Sequence, residues 1–175
     1  GVFLDFVDII VKEDEAKRLS KHRWFRSSEA DLVDEIAPDY SQTFTLQEVM
    51  ANSDMRRYFK LYGMKEHSIE NILCAEQLSA FSDLDNQEER CATANYILDT
   101  YLAGSSFMQI NIGADVKNKY TDVIRKSATF EPNTFQSLML HLEATNLADT
   151  YSRFTRHPLY AEMIEFCHKN SNTTK

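Results

Sequence analysis

The side chains best suited to chemistry open the segment EHSIENILCAEQL, residues 66–78. The segment begins with polar residues and becomes apolar only from Ile69 and Ile72 onward, as in a helix whose first turn is exposed. The carboxylate of Glu70 and the amide of Asn71 can accept and donate hydrogen bonds, which is the chemistry of recognition. The pattern predicts a helix start that contacts another molecule.

Residue groupings typical of enzymes and metal sites are missing. The sequence contains no glycine-rich phosphate loop, no HExxH or GxSxG motif and no paired-cysteine motif. The five histidines are never three or four residues apart, as a metal-binding helix face requires. Acidic pairs such as Asp83 with Asp85 are typical of solvated helix ends. We therefore expect a binding module, not an enzyme, that needs neither a metal nor a cofactor.

Composition and charge narrow the class of partner. The chain has 175 residues, of which 43% are hydrophobic, enough for one well-packed domain. A formal net charge of -8 argues against sequence-independent nucleic-acid binding and favours a basic protein surface as the partner. Three cysteines, Cys74, Cys91 and Cys167, lie far apart without metal-ligand spacing. We expect free buried thiols in a reducing compartment, the cytoplasm.

The most apolar stretch is VFLDFVDIIV, residues 2–11. It is interrupted by Asp5 and Asp8 and is far shorter than the roughly 20 residues of a membrane span. Its apolar residues recur at helical spacing, which predicts an amphipathic helix packed on the protein. The alternative is weak contact with a membrane, which would place the protein peripherally at the plasma membrane.

Helix signals dominate the rest of the chain, which predicts an all-α bundle. TLQE at 45–48 is a capping box; DNQE at 85–88 resembles one with an Asp85 cap, and NTFQ at 133–136 resembles one with Asn133. Pro158 suits a first helical position. The predicted helices are 2–22, 28–36, 45–52, 54–62, 68–83, 86–102, 114–127, 134–145, 147–156 and 158–169.

The chain divides at APDYSQTF, residues 37–44, the best candidate linker. We expect a helical extension, residues 1–43, that packs on a core domain, residues 44–170. The polar residues 171–175 are expected to fray.

Three separated blocks resemble the regulator of G-protein signalling (RGS) family. LQEVMANSDMRRYFKLYGMKEHSIEN resembles the opening of such a domain, with an aromatic helix that leads to a Glu-Asn start. YLAGSSFMQINIGAD resembles its central loop, with Asn111 between two isoleucines. FQSLMLHLEATNLADTYSRFTRHPLY resembles the signature in which a Phe-led helix runs into Asp-Ser-Tyr-x-Arg-Phe. Together the blocks cover roughly residues 44–166 in the order of the family.

The resemblance implies a fold, a function and a set of residues. The fold is an RGS-like bundle of about nine or ten helices in two subdomains, a four-helix bundle and a subdomain of N- and C-terminal helices. Members bind the GTP-loaded α subunit of a heterotrimeric G protein and speed its GTP hydrolysis through three loops at one end of the bundle. The implied α-subunit-binding residues are Glu70, Asn71, Asn111, Asp149, Thr150 and Arg153, together with His67 and Thr145.

Four of these residues also have purely structural interpretations. Asn71 could be a local polar residue at a helix start, and Asn111 could satisfy its own backbone in an Asx turn. Asp149 could cap a helix beginning at Thr150. Arg153 could pair with Asp149 four residues earlier on the same helix.

Departures from the family pattern keep a second function open. Cys74 and Ala75 stand where the family has a Phe-Trp pair, and a lost aromatic side chain typically costs about 3 to 5 kcal/mol if nothing fills the space. We expect an aromatic side chain of the extension to fill it; the candidates are Phe3, Phe6, Trp24 and Phe25. Gly113 replaces an Asp of the family, and Thr145 a Leu. The alternatives are a divergent scaffold that binds without accelerating hydrolysis and a helical adaptor unrelated to G proteins.

Overall fold

The computed structural model describes residues 43–171. This part of the chain contains only helices and connecting turns, so the predicted all-α bundle is confirmed; the number of helices differs slightly from the expected nine or ten. The elements are α1 (Leu46–Ala51), α2 (Ser53–Lys65), α3 (Ile69–Ser82), α4 (Gln87–Ile97), a first π-helical turn (Leu98–Leu102), α5 (Ala114–Lys126), α6 (Gln136–Leu142), a second π-helical turn (Glu143–Leu147), α7 (Ala148–Phe154) and α8 (Pro158–Ser171).

Several predictions concern residues outside this range. They are the helices at 2–22 and 28–36, the packing of the extension and its aromatic side chains on the core, and the fraying of residues 172–175. Within the described range, no helix has the length and apolar character needed to cross a membrane.

The helices pack in two groups. In one group, α3 packs against α4 and α6, and α5 packs against the first π-helical turn that extends α4. In the other, α2 packs against α1, α7 and α8. The groups meet where α2 turns into α3 and where α3 contacts the second π-helical turn. That junction is where the residues of the predicted binding site lie.

Buried aromatic rings form the core of the second group. Phe154 is fully buried, and its ring centroid lies 5.2 Å from Phe59, 5.4 Å from Tyr62 and 5.3 Å from Tyr160. Such pairs contribute about 0.5–1.5 kcal/mol each beyond the burial of their area. Phe44 N–H donates to the Tyr160 hydroxyl at 3.0 Å, which ties the start of the described chain to α8. The core therefore joins the N-terminal and C-terminal helices of the domain.

The caps of the helices agree only in part with the sequence. The capping box of Thr45 and Glu48 forms, with both reciprocal hydrogen bonds present. The predicted Asp85 cap is wrong by one residue, because Asn86 accepts the bond from the Glu89 N–H. The box predicted at NTFQ does not form either. There α6 begins at Gln136 without a side-chain cap, since residues 133–136 are taken up by a backbone turn.

The helix break predicted near residue 146 is also absent. α6 continues through the second π-helical turn into α7, where Ala148 N–H donates to the carbonyl of Glu143, five residues earlier. A π-helical turn fits one extra residue into a helix and shifts the face that the following residues occupy. The continuous helix therefore carries Thr145, Asn146 and Asp149 along the junction between the two groups.

The small residues that replace the family's aromatic pair are both fully buried. Ala75 also lines a cleft of about 570 Å³. Glu76, on the same cleft, pairs with Arg56 and Lys60 at 2.6 Å each. Cys74 is buried as expected, but Cys91 and Cys167 are partly exposed.

Candidate partner-binding site

The turn between α2 and α3 forms the first part of the site. Ser68 N–H donates to the carbonyl of Gly63 at 2.8 Å and His67 N–H to that of Met64 at 3.4 Å, the two bonds of a Schellman motif. His67 occupies the left-handed position, with a φ of 54°. Ser68 stands at the N-cap of α3 but makes no capping bond, and its hydroxyl oxygen is buried. The first turn of α3 is polar, as the sequence predicts, but it is only partly exposed.

Gly63 lets this turn form against α3. A Cβ at Gly63 would lie 2.7 Å from the Ile72 Cδ1 and 3.3 Å from the Ile69 Cα. The second atom belongs to the backbone and cannot move aside without shifting α3. Only glycine therefore permits α3 to begin this close to the end of α2, which sets the position of Glu70 and Asn71.

An amide bridge joins this turn to the loop that contains Asn111. The Asn146 Nδ2 group donates to the Asn71 Oδ1 and to the Asn111 carbonyl oxygen, at 3.0 Å each. Asn71 in turn donates to a carboxylate oxygen of Glu70 at 3.0 Å. Three segments far apart in sequence are thus connected through side-chain amides.

The hydrogen-bond network fixes the orientation of both amides. The Asn71 NH₂ group faces two acceptors, the Ser68 carbonyl at 3.4 Å and Glu70, so its oxygen must face Asn146. The Asn111 carbonyl oxygen can only accept, so the Asn146 NH₂ group must face it and the Asn71 oxygen. Turning either amide would set donors against donors and acceptors against acceptors. The bridge therefore has one consistent arrangement.

Asn111 presents its side chain to solvent at the centre of the loop. Its neighbour Ile110 is 1% exposed and donates its N–H to the Tyr101 carbonyl at 3.0 Å, which anchors the loop from below. Asn111 itself is exposed, and its side chain makes no hydrogen bond within the described residues. The Asx-turn interpretation is therefore wrong for Asn111, whose amide is available for a partner.

Arg153 forms a second link across the site. Its guanidinium donates to Glu66 at 2.7 Å and to Asp149 at 2.5 Å, so α7 is joined to the turn after α2. The hydrogen bond to Asp149 and, less strongly, the bond to Glu66 raise the pKa of Arg153. The hydrogen bond from Arg153 and, less strongly, the bond from Tyr62 lower the pKa of Glu66.

The predicted pairing of Arg153 with Asp149 is present. The alternative that Asp149 caps a helix at Thr150 is wrong, because the helix continues through both residues.

Glu70 lies half-buried in the first turn of α3. Burial raises the pKa of its carboxyl group, and the hydrogen bonds from its own backbone and from Asn71 oppose that shift. Among the described residues, no lysine or arginine forms an ion pair with Glu70. Its negative charge therefore lies in the first turn of α3 without a cationic partner among the described residues.

Two predicted contact residues lie deeper than expected. Thr150 is 2% exposed and Asn71 is 5% exposed. Direct contact between a partner and Thr150 is not supported, because its side chain packs inside the domain. Asn71 uses its amide within the bridge and so positions Glu70 and Asn146 from below. Thr145, by contrast, is exposed beside Asn146 and donates its hydroxyl to the His141 carbonyl at 2.7 Å.

Sequence reasoning missed Asn146 and Glu66. Asn146 falls between two predicted helices, and although it lies within the third block of the resemblance, it is not one of the residues that the family signature singles out. The available signal was an amide side chain directly before the buried Leu147, in an otherwise helical stretch. Glu66 carried no signal, because its role depends on Arg153, 87 residues later.

Comparison with known proteins adds an independent finding. Residues 45–163 match the family described as the Regulator of G protein signaling domain, and this range contains every residue of the site. The chain is also 26% identical over 151 residues to Regulator of G-protein signaling 1 from Xenopus tropicalis; the match covers 83% of this chain and 72% of that protein. More than half of the chain thus fits the family, as the three sequence blocks predict. The protein belongs to the regulator of G-protein signalling family.

Proposed function

We propose that this domain is a GTPase-activating protein for the α subunit of a heterotrimeric G protein. The observation that carries the proposal is the meeting of three separate segments at one edge, linked by the amide of Asn146. The edge presents the exposed Asn111 together with Glu70, Asp149 and Arg153. It offers amide and carboxylate groups to a partner.

Such an edge suffices because an α subunit already contains the groups that react. Its glutamine orients the attacking water, and its arginine acts in cis on the γ-phosphate. A partner that binds the switch loops best in their transition-state arrangement lowers the barrier by that difference in affinity. Each tenfold acceleration needs about 1.4 kcal/mol, the size of one or two hydrogen bonds. The domain would therefore end G-protein signalling without taking part in the chemistry, acting in the cytoplasm or at the inner face of the plasma membrane.

Single-turnover GTP hydrolysis by a panel of α subunits tests the proposal. At least one α subunit should hydrolyse GTP faster with the protein present, and Asn111→Ala or Glu70→Lys should remove that effect. Asn118→Ala and Glu131→Lys are matched controls, because both residues are exposed and lie away from the edge in the described fold. Acceleration that survives Asn111→Ala and Glu70→Lys would contradict the assignment of the site.

A scaffold that binds without accelerating hydrolysis is the second candidate. Gly113 favours it, because it stands at the N-cap of α5 without any side-chain cap where the family resemblance expects an aspartate. A less restrained Asn111 loop would bind an α subunit without selecting its transition-state form. Binding to the aluminium fluoride form in clear preference to the GDP form supports the GTPase activator; equal binding to both supports the scaffold.

A further inference from the structure

We propose that Asn146 is a positioning residue that sets the Asn111 loop at its working distance from the α2–α3 turn. The inference rests on the proposed function, in which Asn111 contacts the partner. It adds a residue that carries no partner contact of its own but determines where that contact is made.

Asn146 is the side chain that links the Asn111 loop to the α2–α3 turn. Within the described residues, the hydrogen bond from Asn146 to the Asn111 carbonyl, at 3.0 Å, is the only one that Asn111 makes, while the backbone bond from Ile110 to Tyr101 anchors the neighbouring residue. The second hydrogen of the same NH₂ group goes to Asn71, whose side chain is buried. A single planar group thus bridges the exposed side of the loop and a buried amide of α3.

The second π-helical turn explains how Asn146 reaches both partners. Asn146 lies within Glu143–Leu147, where the extra residue of the π-helical turn changes the direction of the side chains. The Thr145 hydroxyl donates to the His141 carbonyl at 2.7 Å and so does not compete for the Asn146 NH₂ group. The Asn146 amide is oriented by the Asn111 carbonyl, which can only accept a hydrogen bond.

Asn146→Asp is the sharpest variant, because it has nearly the same shape and reverses the hydrogen bonding. A carboxylate oxygen would face two acceptors, the Asn71 oxygen and the Asn111 carbonyl, and would repel both. Asn146→Ala only removes the donors, and water can satisfy the acceptor of the exposed Asn111. We therefore expect Asn146→Asp to displace the loop more than Asn146→Ala does.

Two measurements test the inference. Hydrogen exchange followed by mass spectrometry needs no partner, and Asn146→Asp should increase exchange across residues 108–113 while leaving the buried part of α3 unchanged. With the partner, Asn146→Asp should raise the concentration needed for half-maximal acceleration of GTP hydrolysis at least tenfold, and Asn146→Ala should raise it less.

A double variant separates positioning from a general loss of structure. If Asn146 acts through Asn111, Asn146→Asp combined with Asn111→Ala should bind the aluminium fluoride form of the α subunit no more weakly than Asn111→Ala alone. Additive losses would overturn the inference, as would unchanged exchange across residues 108–113. If the wild-type protein accelerates no α subunit, the proposed function fails, and the exchange measurement still decides whether Asn146 holds the loop.

Discussion

Burial disfavours the ionised form of the Glu70 carboxyl group. It raises the pKa of Glu70 above the ordinary value of 4.5, so the folded protein favours the protonated form. The contribution of Glu70 to stability therefore decreases as the pH rises from 4.5 through the raised pKa. A perturbed carboxyl group in a candidate binding site is typical of a functional requirement.

Glu70→Gln separates these two effects. Glutamine can still accept the hydrogen bond from Asn71 but carries no charge, so the melting temperature at pH 7.5 should equal or exceed that of the wild type. The difference should shrink at pH 4, where the wild-type carboxyl group is protonated. Acceleration of GTP hydrolysis should fall, because the charge presented to the partner is lost. A lower melting temperature for Glu70→Gln at pH 7.5 would show instead that the carboxylate stabilises the fold.

For single residues, the sequence predicts which polar side chains are exposed better than which are buried. The family motif identifies Asn111 and Arg153, and both side chains are exposed. The motif places Thr150 with them, although burial depends on the face that the helix turns to the core. The sequence does not predict the role of Asn146, because that role is a hydrogen bond to Asn71, 75 residues away, and no local pattern indicates such a pairing.

Helix positions within the described range follow the sequence closely, since apolar residues at helical spacing must face the core. Thus α5 and α8 begin at the predicted residues. The predicted helix ends are wrong where two neighbouring residues suit the same position. Asp85 and Asn86 are both good caps, and only the final direction of the chain decides between them. The second π-helical turn had no local signal, because it depends on how the long helix packs against α3.

α8 carries a carboxyl group whose titration should be visible in stability. Burial, and less strongly the neighbouring Glu165, raise the pKa of Glu162 to about 7 against the opposing effect of Lys65. The group therefore binds its proton more tightly in the folded than in the unfolded chain. Its contribution to stability is fully present below pH 4.5 and is lost as the pH rises towards 7.

Glu162→Gln should remove this dependence. The variant should melt at a higher temperature than the wild type at pH 8, and at nearly the same temperature at pH 4. Thermal unfolding followed by circular dichroism at both pH values measures the difference. The exposed Glu131→Gln serves as the control and should behave like the wild type throughout. A Glu162→Gln effect of equal size at both pH values would mean that packing, not ionisation, is responsible.

The arrangement of the whole domain brings the two helix groups together at the site. The family resemblance supplied the two-subdomain organisation, which hydrophobic periodicity cannot give, because it shows which face of a helix is buried but not which helix covers it. The structure adds the two connections across the junction. One is the Asn146 bridge, and the other is the pair of bonds from Arg153 to Glu66 and Asp149.

Arg153→Ala should break the second connection. The substitution would remove the cation that neutralises Glu66 and Asp149. It would also remove the ion pair that joins α7 to the turn after α2. Because all three side chains are substantially exposed, solvent screens the pair, and the melting temperature should change little. Affinity for the aluminium fluoride form of the α subunit should nevertheless fall at least tenfold, as measured by surface plasmon resonance.

Lys126→Ala is the matched control for this prediction. Lys126 pairs with Asp122 at 2.8 Å with the same four-residue spacing on an exposed helix face, but within α5 alone. It should therefore alter stability as slightly as Arg153→Ala and leave affinity unchanged. If both variants lost affinity equally, the effect would come from the net charge of the domain. Loss confined to Arg153→Ala would mean that the affinity depends on Arg153 itself, through its link between the two helix groups or its own contact with the partner, because the number of surface charges changes equally in both variants.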